Sequence, residues 1–214
     1  MNQLFPDTLP PSTARLLEQI QSSKPSFLQN FYLSGGTALS LQLGHRESED
    51  LDFFSSVDFD PIVLQNELSV LGPLTNTTLG NSTLNCYIRG VKVQFLGYPY
   101  PLLSDFVPYD SILLSSVLDV ALTKLQTIGM RGSKKDFIDL YAILKTYKLN
   151  DLLDYLPDKY PNIDYNLPHI LKSLVYFEDA DHEPMPRMHQ NIDWEEAKSS
   201  ITLVVKKLDL TKTG

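Results

Sequence analysis

Residues Phe31–Phe54 read FYLSGGTALSLQLGHRESEDLDFF. Phe31 to Leu33 are aromatic and aliphatic, the chemistry of a buried strand. Gly35 and Gly36 permit a sharp turn and a close approach to the backbone. Apolar residues then recur at Ala38, Leu39, Leu41 and Leu43, which predicts a short helix lying on a sheet. Asp50-Leu51-Asp52 leads into Phe53-Phe54. On an extended strand, residues i and i+2 share a face about 7 Å apart. Asp50 and Asp52 should therefore aim two carboxylates at one spot while Leu51 enters the core.

Two chemistries follow from this unit. A helix that starts at a glycine turn presents free N–H groups and the positive end of its dipole, a natural anion site. Two adjacent carboxylates repel one another unless a cation intervenes, and Mg²⁺ (or Mn²⁺) accepts one or two carboxylates while completing its shell with water and phosphates. Gly35, Gly36 and Thr37 are thus candidates for holding the polyphosphate of an NTP, and Asp50 and Asp52 for its metal. Each part alone has an ordinary reading: a double glycine is usually a turn, and an isolated Asp-x-Asp is usually a solvated edge. Their conjunction within one strand–helix–strand unit is the specific signal.

The run GGTALSLQLGHRESEDLDFF resembles the signature of the AbiEii/AbiGii-type nucleotidyltransferases, toxins of type IV toxin–antitoxin and abortive-infection systems within the polymerase-β-like superfamily. DVALTK (119–124) and RGSKKDFIDLYAIL (131–144) extend the resemblance, which runs from Phe31 to Lys198. It implies an α/β (α+β) fold: a polymerase-β-like core with a mixed sheet over 1–108, then a helical C-terminal part over 109–214 that completes the cleft. It also implies Lys124 reaching the phosphates, and Lys135, Asp136 and Asp139 at the cleft, holding Lys124 or Arg46 in place, with Asp136 among the catalytic residues. The acceptor expected from the resemblance is RNA such as a tRNA end, and the expected partner is a separately encoded antitoxin. One departure stands out. The superfamily usually places a third carboxylate, a general base, on a strand beside the Asp pair; here the expected position holds Gln94, which cannot take a proton.

The bulk properties bound the rest. With 214 residues the chain can bury a proper core. Its net charge of −8 argues against a broad nucleic-acid footprint, though not against a locally held end. The single cysteine fits a reducing cytosol, and neither a secretory signal nor a membrane-spanning run is expected.

Around the central unit, a helix is predicted over 12–22 and another from Asp60-Pro61 to about Val70. Strand-like segments at 74–79, 83–89 and 91–96 suggest an antiparallel meander. A helix is then predicted from about Asp110 to Ile128, with Lys124 inside its apolar arc and Asp119 on the opposite side. Ser133 and Asp136 form a capping-box pattern. Asp136 and Asp139 are neighbours on that helix and need cations, with Arg131, Lys134 and Lys135 as the local candidates. Arg46 suits phosphate because a guanidinium matches its geometry, whereas His45 either contacts phosphate, braces the Asp pair or closes the turn after Gly44. Asp58 and Asp60 read as solvated loop acids or a cap, and later Asp179, Asp181 and Glu183 as solvated surface, with metal ligation the alternative for both groups. Helices follow from Asn150, then a Pro- and Met-containing loop and a closing amphipathic helix. Three activities stay open: nucleotidyl transfer to RNA, transfer to a small molecule such as an aminoglycoside or to a protein, and nucleotide binding without turnover.

Overall fold

The computed structural model describes residues 3–163 and 165–208. The outer ends of the two expected segments, residues 1–2 and 209–214, lie outside them. Pro11 opens α1 (Pro11–Ser23), whose Leu16, Leu17 and Ile20 are buried. The central unit follows as β1 (Tyr32–Ser34), α2 (Gly35–Leu43) and β2 (Leu51–Ser55). Gly44 ends α2 in the left-handed conformation, φ 61°, with its N–H bonded to the Ser40 carbonyl. Asp60 accepts hydrogen bonds from the Ile62 and Val63 amides and so caps α3 (Pro61–Leu68).

Next come β3 (Leu74–Gly80), β4 (Thr83–Ile88) and β5 (Val91–Gly97), an antiparallel meander as their turn residues predict. The chain then forms a short hairpin, β6 (Val107–Tyr109) and β7 (Ile112–Leu114), where a helix was expected from Asp110. Asp110 takes φ 55° in its turn. Buried Ile112 and Leu114 flank exposed Leu113, a period of two, and Leu33 pairs with Leu114. Tertiary pairing with β1 overrides the helical pattern. The helix α4 (Val117–Met130) starts only after Ser116, whose hydroxyl accepts from the Asp119 amide. The sheet therefore runs on to Leu114, and a division at 108/109 falls inside a hairpin.

Among the described residues, seven strands form one sheet in the order β3-β4-β5-β2-β1-β7-β6. The β2–β5 and β1–β7 pairs are parallel and the others antiparallel. One face carries Leu33, Leu51, Phe53, Leu84, Val93 and Phe95, all shielded from solvent. Phe53 stacks on Phe95 at 5.1 Å, and Phe27 and Phe31 meet Phe95 edge-on. α1 packs beside β5.

The helical remainder comprises α5 (Lys134–Leu144), α6 (Leu149–Asp154), α7 (Leu156–Lys159), α8 (Leu167–Ser173), α9 (Glu178–Asp181) and α10 (Trp194–Lys206). α4 and α5 pack on each other and both reach α2, so sheet and helices share one core. Among the described residues, no helix is long and apolar enough to cross a membrane.

One buried ion pair joins α4 to α7 and, through its hydrogen bonds, to the segment after β5. Asp119, on the side of α4 opposite its apolar arc, accepts from Lys159 at 2.8 Å, from the Ser116 hydroxyl, and from the Leu103 and Ser104 amides. Lys159 also donates to the Pro101 carbonyl. Both side chains are nearly inaccessible, and removing one partner strands the other's charge. Asp119→Asn should therefore cost about 3–5 kcal/mol, and adding Lys159→Met should recover part of the loss. Urea unfolding of the single and double variants checks this.

Candidate active site

The register of the sheet builds the floor of a cavity of about 440 Å³. On the face opposite the aromatic core, side chains line up in rows across strands. Tyr87 pairs with Lys92. Asn85, Gln94, Asp52 and Ser34 form the next row, and Thr83, Leu96, Phe54 and Tyr32 the one after. Polarity thus changes along the strands, from charge through amide and carboxylate to apolar and aromatic. Val120, Thr123, Lys124 and Thr127 of α4 face this floor across the cavity, and Tyr98 closes the apolar end.

Gly35 and Gly36 form one wall, and their missing side chains have specific occupants. Gly35 has φ 64°, and a Cβ there would lie 2.5 Å from an oxygen of Asp52. A Cβ on Gly36 would lie 2.7 Å from Nη2 of Arg46. The room left by the glycines is taken by these two side chains, so Asp52 lies directly against the glycine turn. Ser34 supplies no side-chain cap to α2, because its hydroxyl is bonded to Ser115 at 2.8 Å. The N–H groups of the first turn of α2 therefore receive no acceptor from the cap residue.

Asp50 sits just before β2, on the same cavity as Asp52. Its carboxylate lies 3.8 Å from Nζ of half-exposed Lys135. Burial, reinforced by the negative charge of Asp50, raises the Asp52 pKa above the usual carboxylate range. Two carboxylates on one cavity suit a hard divalent cation that keeps much of its water and substrate shell. Among the described residues, no group of three or more His, Cys, Asp or Glu could hold a metal on its own.

Thr37 departs from expectation. It is fully buried, and its hydroxyl bridges the Ser48 hydroxyl and the Asp50 carbonyl. It does not line the cavity; it fixes the backbone that carries Asp50.

Arg46 and Lys124 line the cavity, but both are engaged by carboxylates. Arg46 grips Asp139 with Nε at 2.6 Å and Nη2 at 2.8 Å, a bidentate pair. Lys124 Nζ lies 2.6 Å from both Asp136 and Asp139. Asp136 also accepts from the Ser133 hydroxyl at 2.6 Å. Ser133 makes no side-chain cap, so the expected capping box is absent and the two residues bond side chain to side chain.

The cations answering Asp136 and Asp139 thus come from α4 and from the turn before β2, not from Arg131, Lys134 or Lys135. Lys134 instead donates to the Asp181 and Glu183 carbonyls. His45 Nε2 lies 2.8 Å from Asp139, and burial outweighs the pull of that carboxylate, lowering the His45 pKa. The imidazole is therefore neutral and donates Nε2–H to Asp139. Its Nδ1 has no partner among the described residues.

The remaining acids fall elsewhere. Asp58 accepts from Ser82, Asp181 from Trp194 and Lys198, and Glu183 from the Lys134 amide. Lys92, Arg131, Ser48 and Asn85 also line the cavity and were not singled out as site residues. Lys92 was legible only as the outward residue between Val91 and Val93. Asn85 became visible through register, since it accepts from the Gln94 amide at 2.5 Å.

Residues 15–71 match the family described as nucleotidyl transferase AbiEii toxin of type IV toxin–antitoxin systems. A protein of Aquifex aeolicus with no assigned function is 36% identical over 186 residues, covering 83% of this chain and 87% of that one. This chain belongs to the AbiEii nucleotidyltransferase toxin family. The matched AbiEii segment contains Gly35, Gly36, Asp50 and Asp52 of the cavity. The solved structures of MenT4, a nucleotidyltransferase toxin of Mycobacterium tuberculosis, and of JHP933 from Helicobacter pylori share the fold. The TM-scores are 0.60 at 15% identity for MenT4 and 0.54 at 19% for JHP933. Each comparison spans 94% of this chain, with 86% of MenT4 and 94% of JHP933 covered. The solved structures thus share the sheet and the helical C-terminal part, and the AbiEii match carries the nucleotidyltransferase class.

The buried charges predict an acid dependence. The Arg46 and Lys124 charges hold the Asp139 carboxyl well below the usual range, and Lys124 lowers that of Asp136. For a depressed carboxyl, the contribution to stability is complete above the unfolded value of about 3.9 and is lost as pH falls through the folded value. His45, neutral when folded, adds a loss that begins lower than about pH 6.5. Stability should therefore decline gently below pH 6.5 and steeply below pH 4. His45→Gln should flatten the first region only, as read by urea midpoints across pH.

Proposed function

We propose that the chain transfers a nucleoside monophosphate from an NTP to an acceptor hydroxyl. The observation that carries this reading is the seating of Asp52 against Gly35, with Asp50 on the same cavity, at the uncapped start of α2. Asp50 and Asp52 are the residues to hold Mg²⁺ or Mn²⁺, which when bound supplies positive charge where negative charge develops on the transferring phosphate. The amides at Gly35 and Gly36 receive phosphate oxygens. Lys135 and Arg131 line the cavity outside the buried charge cluster, and in this reading they meet the polyphosphate as it leaves. Phe54, Leu96 and Tyr98 give the nucleoside an apolar floor.

An acceptor oxygen bonds to the α-phosphorus while the bond to the α–β bridging oxygen breaks. Pyrophosphate leaves with that electron pair, and the hydroxyl proton passes to water. Gln94, beside Asp52 in the sheet, orients by hydrogen bonding and takes no proton. Lys124, Arg46, Asp136 and Asp139 act as a rigid back wall and hold the glycine turn against α4 and α5. The family supports RNA such as a tRNA end as the acceptor and a separately encoded antitoxin as the partner. Gln94 favours one rival, nucleotide binding without turnover.

Each NTP, labelled at the α-phosphate, is incubated with total RNA and Mg²⁺ while pyrophosphate release is followed. Label on RNA with stoichiometric pyrophosphate is expected. Asp52→Ala should lower it at least about a hundredfold with an unchanged melting curve. Equal labelling by Asp52→Ala, or NTP binding with no pyrophosphate released, would overturn the reading.

A further inference from the structure

A second cavity of about 350 Å³ adjoins the first, and Asp50 and Lys92 line both. Its place follows from the sheet register. From the apolar row of Phe54 and Leu96, two residues along each strand lead to Asp52 and Gln94, and two more to Asp50 and Lys92. Tyr87, across from Lys92, lines the second cavity and is 37% exposed. The second cavity thus lies beyond the carboxylate pair, at the end of the strands opposite the apolar floor.

In-line transfer needs the attacking oxygen and the leaving group on opposite sides of one phosphorus. With the nucleoside on the apolar row and the polyphosphate at the glycine turn, the open approach to the carboxylate pair is from this second cavity. We propose that it is the acceptor site, and that it admits a sugar unit whose vicinal hydroxyls are free of phosphate. The inference rests on nucleotidyl transfer for its role, but not for binding.

Charge selects the class of ligand. Glu47, Glu49 and Asp50 line the cavity against Lys92 and Arg187. Arg187 already faces Glu47 at 3.4 Å, and its side chain is otherwise solvated. An entering phosphate would meet an excess of carboxylate at short range, and the chain's net charge of −8 gives a polyanion no compensating attraction. Sugar hydroxyls, by contrast, donate hydrogen bonds to carboxylates. The ring of Tyr87 offers a face on which a base or sugar can pack. Two sources share this chemistry: the terminal ribose of an RNA with free 2′ and 3′ hydroxyls, and a free aminosugar.

Binding measured without NTP separates the possibilities. The probes are a short fluorescent RNA ending in a free diol, the same RNA ending in a 3′-phosphate, and a fluorescent aminocyclitol. The wild type should bind the diol RNA or the aminocyclitol, and the 3′-phosphate should weaken the RNA. Tyr87→Ala should weaken the bound probe about tenfold, as expected for loss of one stacking partner, with NTP affinity changed less than twofold. Glu49→Lys should reverse the preference toward the 3′-phosphate, a change that misfolding cannot produce.

Binding of the diol RNA alone assigns an RNA end, and binding of the aminocyclitol alone assigns a free aminosugar; either supports the site. Unchanged probe binding by Tyr87→Ala overturns the proposal, as does equal binding of the 3′-phosphate RNA by the wild type, or no binding of any probe. Pyrophosphate release by the wild type against Asp52→Ala judges the transfer reading separately.

Discussion

Asp139 is completely buried, and it receives Arg46, Lys124 and His45 at once. Burying a lone carboxylate is prohibitively costly, so its position is tolerable only while these donors converge on it. Those donors come from separate elements: His45 and Arg46 from the turn after α2, and Lys124 from α4. Asp139 itself lies on α5. The carboxylate therefore ties the central strand–helix–strand unit to the helical part at one point. Asp136 balances the second cation, which leaves two positive and two negative groups plus a neutral imidazole. Such a cluster adds little net stability over an apolar core, but it tolerates few alternative arrangements.

The same cluster fixes the cavity wall. Arg46 fills the space that a side chain on Gly36 would occupy, and Asp52 fills that beside Gly35. A residue larger than glycine would displace either the buried charge or the cavity carboxylate. The double glycine thus serves two partners, one facing the cavity and one facing the core. Thr37 continues the logic a residue later by holding the Asp50 carbonyl from beneath.

How much of this is legible in the sequence depends on the range of the interaction. The β1–α2–β2 unit, the meander and the caps are local patterns, and they appear where period and turn chemistry put them. The β6–β7 hairpin is not local: Leu114 becomes a strand residue because Leu33 offers it a partner. Lys124 was legible as anomalous, a cation inside an apolar arc. That Asp136 and Asp139 engage it was implied only by the family resemblance; the contacts themselves come from helix packing. Lys134 shows the converse, because its sequence neighbours Asp136 and Asp139 suggested an ion pair, yet its amine reaches main-chain carbonyls of the 181–183 segment.

Register does the remaining sorting. Because side chains alternate along a strand, β2 and β5 present Asp52 and Gln94 on one face only if Phe53 and Phe95 fill the other. The stacked phenylalanines thereby select the alignment that brings carboxylate beside amide, and a slip of one residue would bury the carboxylate among aromatic rings. Steps of two residues then carry the cavity from Lys92 through Gln94 to Leu96 on one strand, and from Asp52 to Phe54 on its neighbour. A charged end, a middle of amide and carboxylate, and an apolar end follow from one constraint. The aromatic core on the hidden face of the sheet thus determines the order in which chemistry is laid out on the open one.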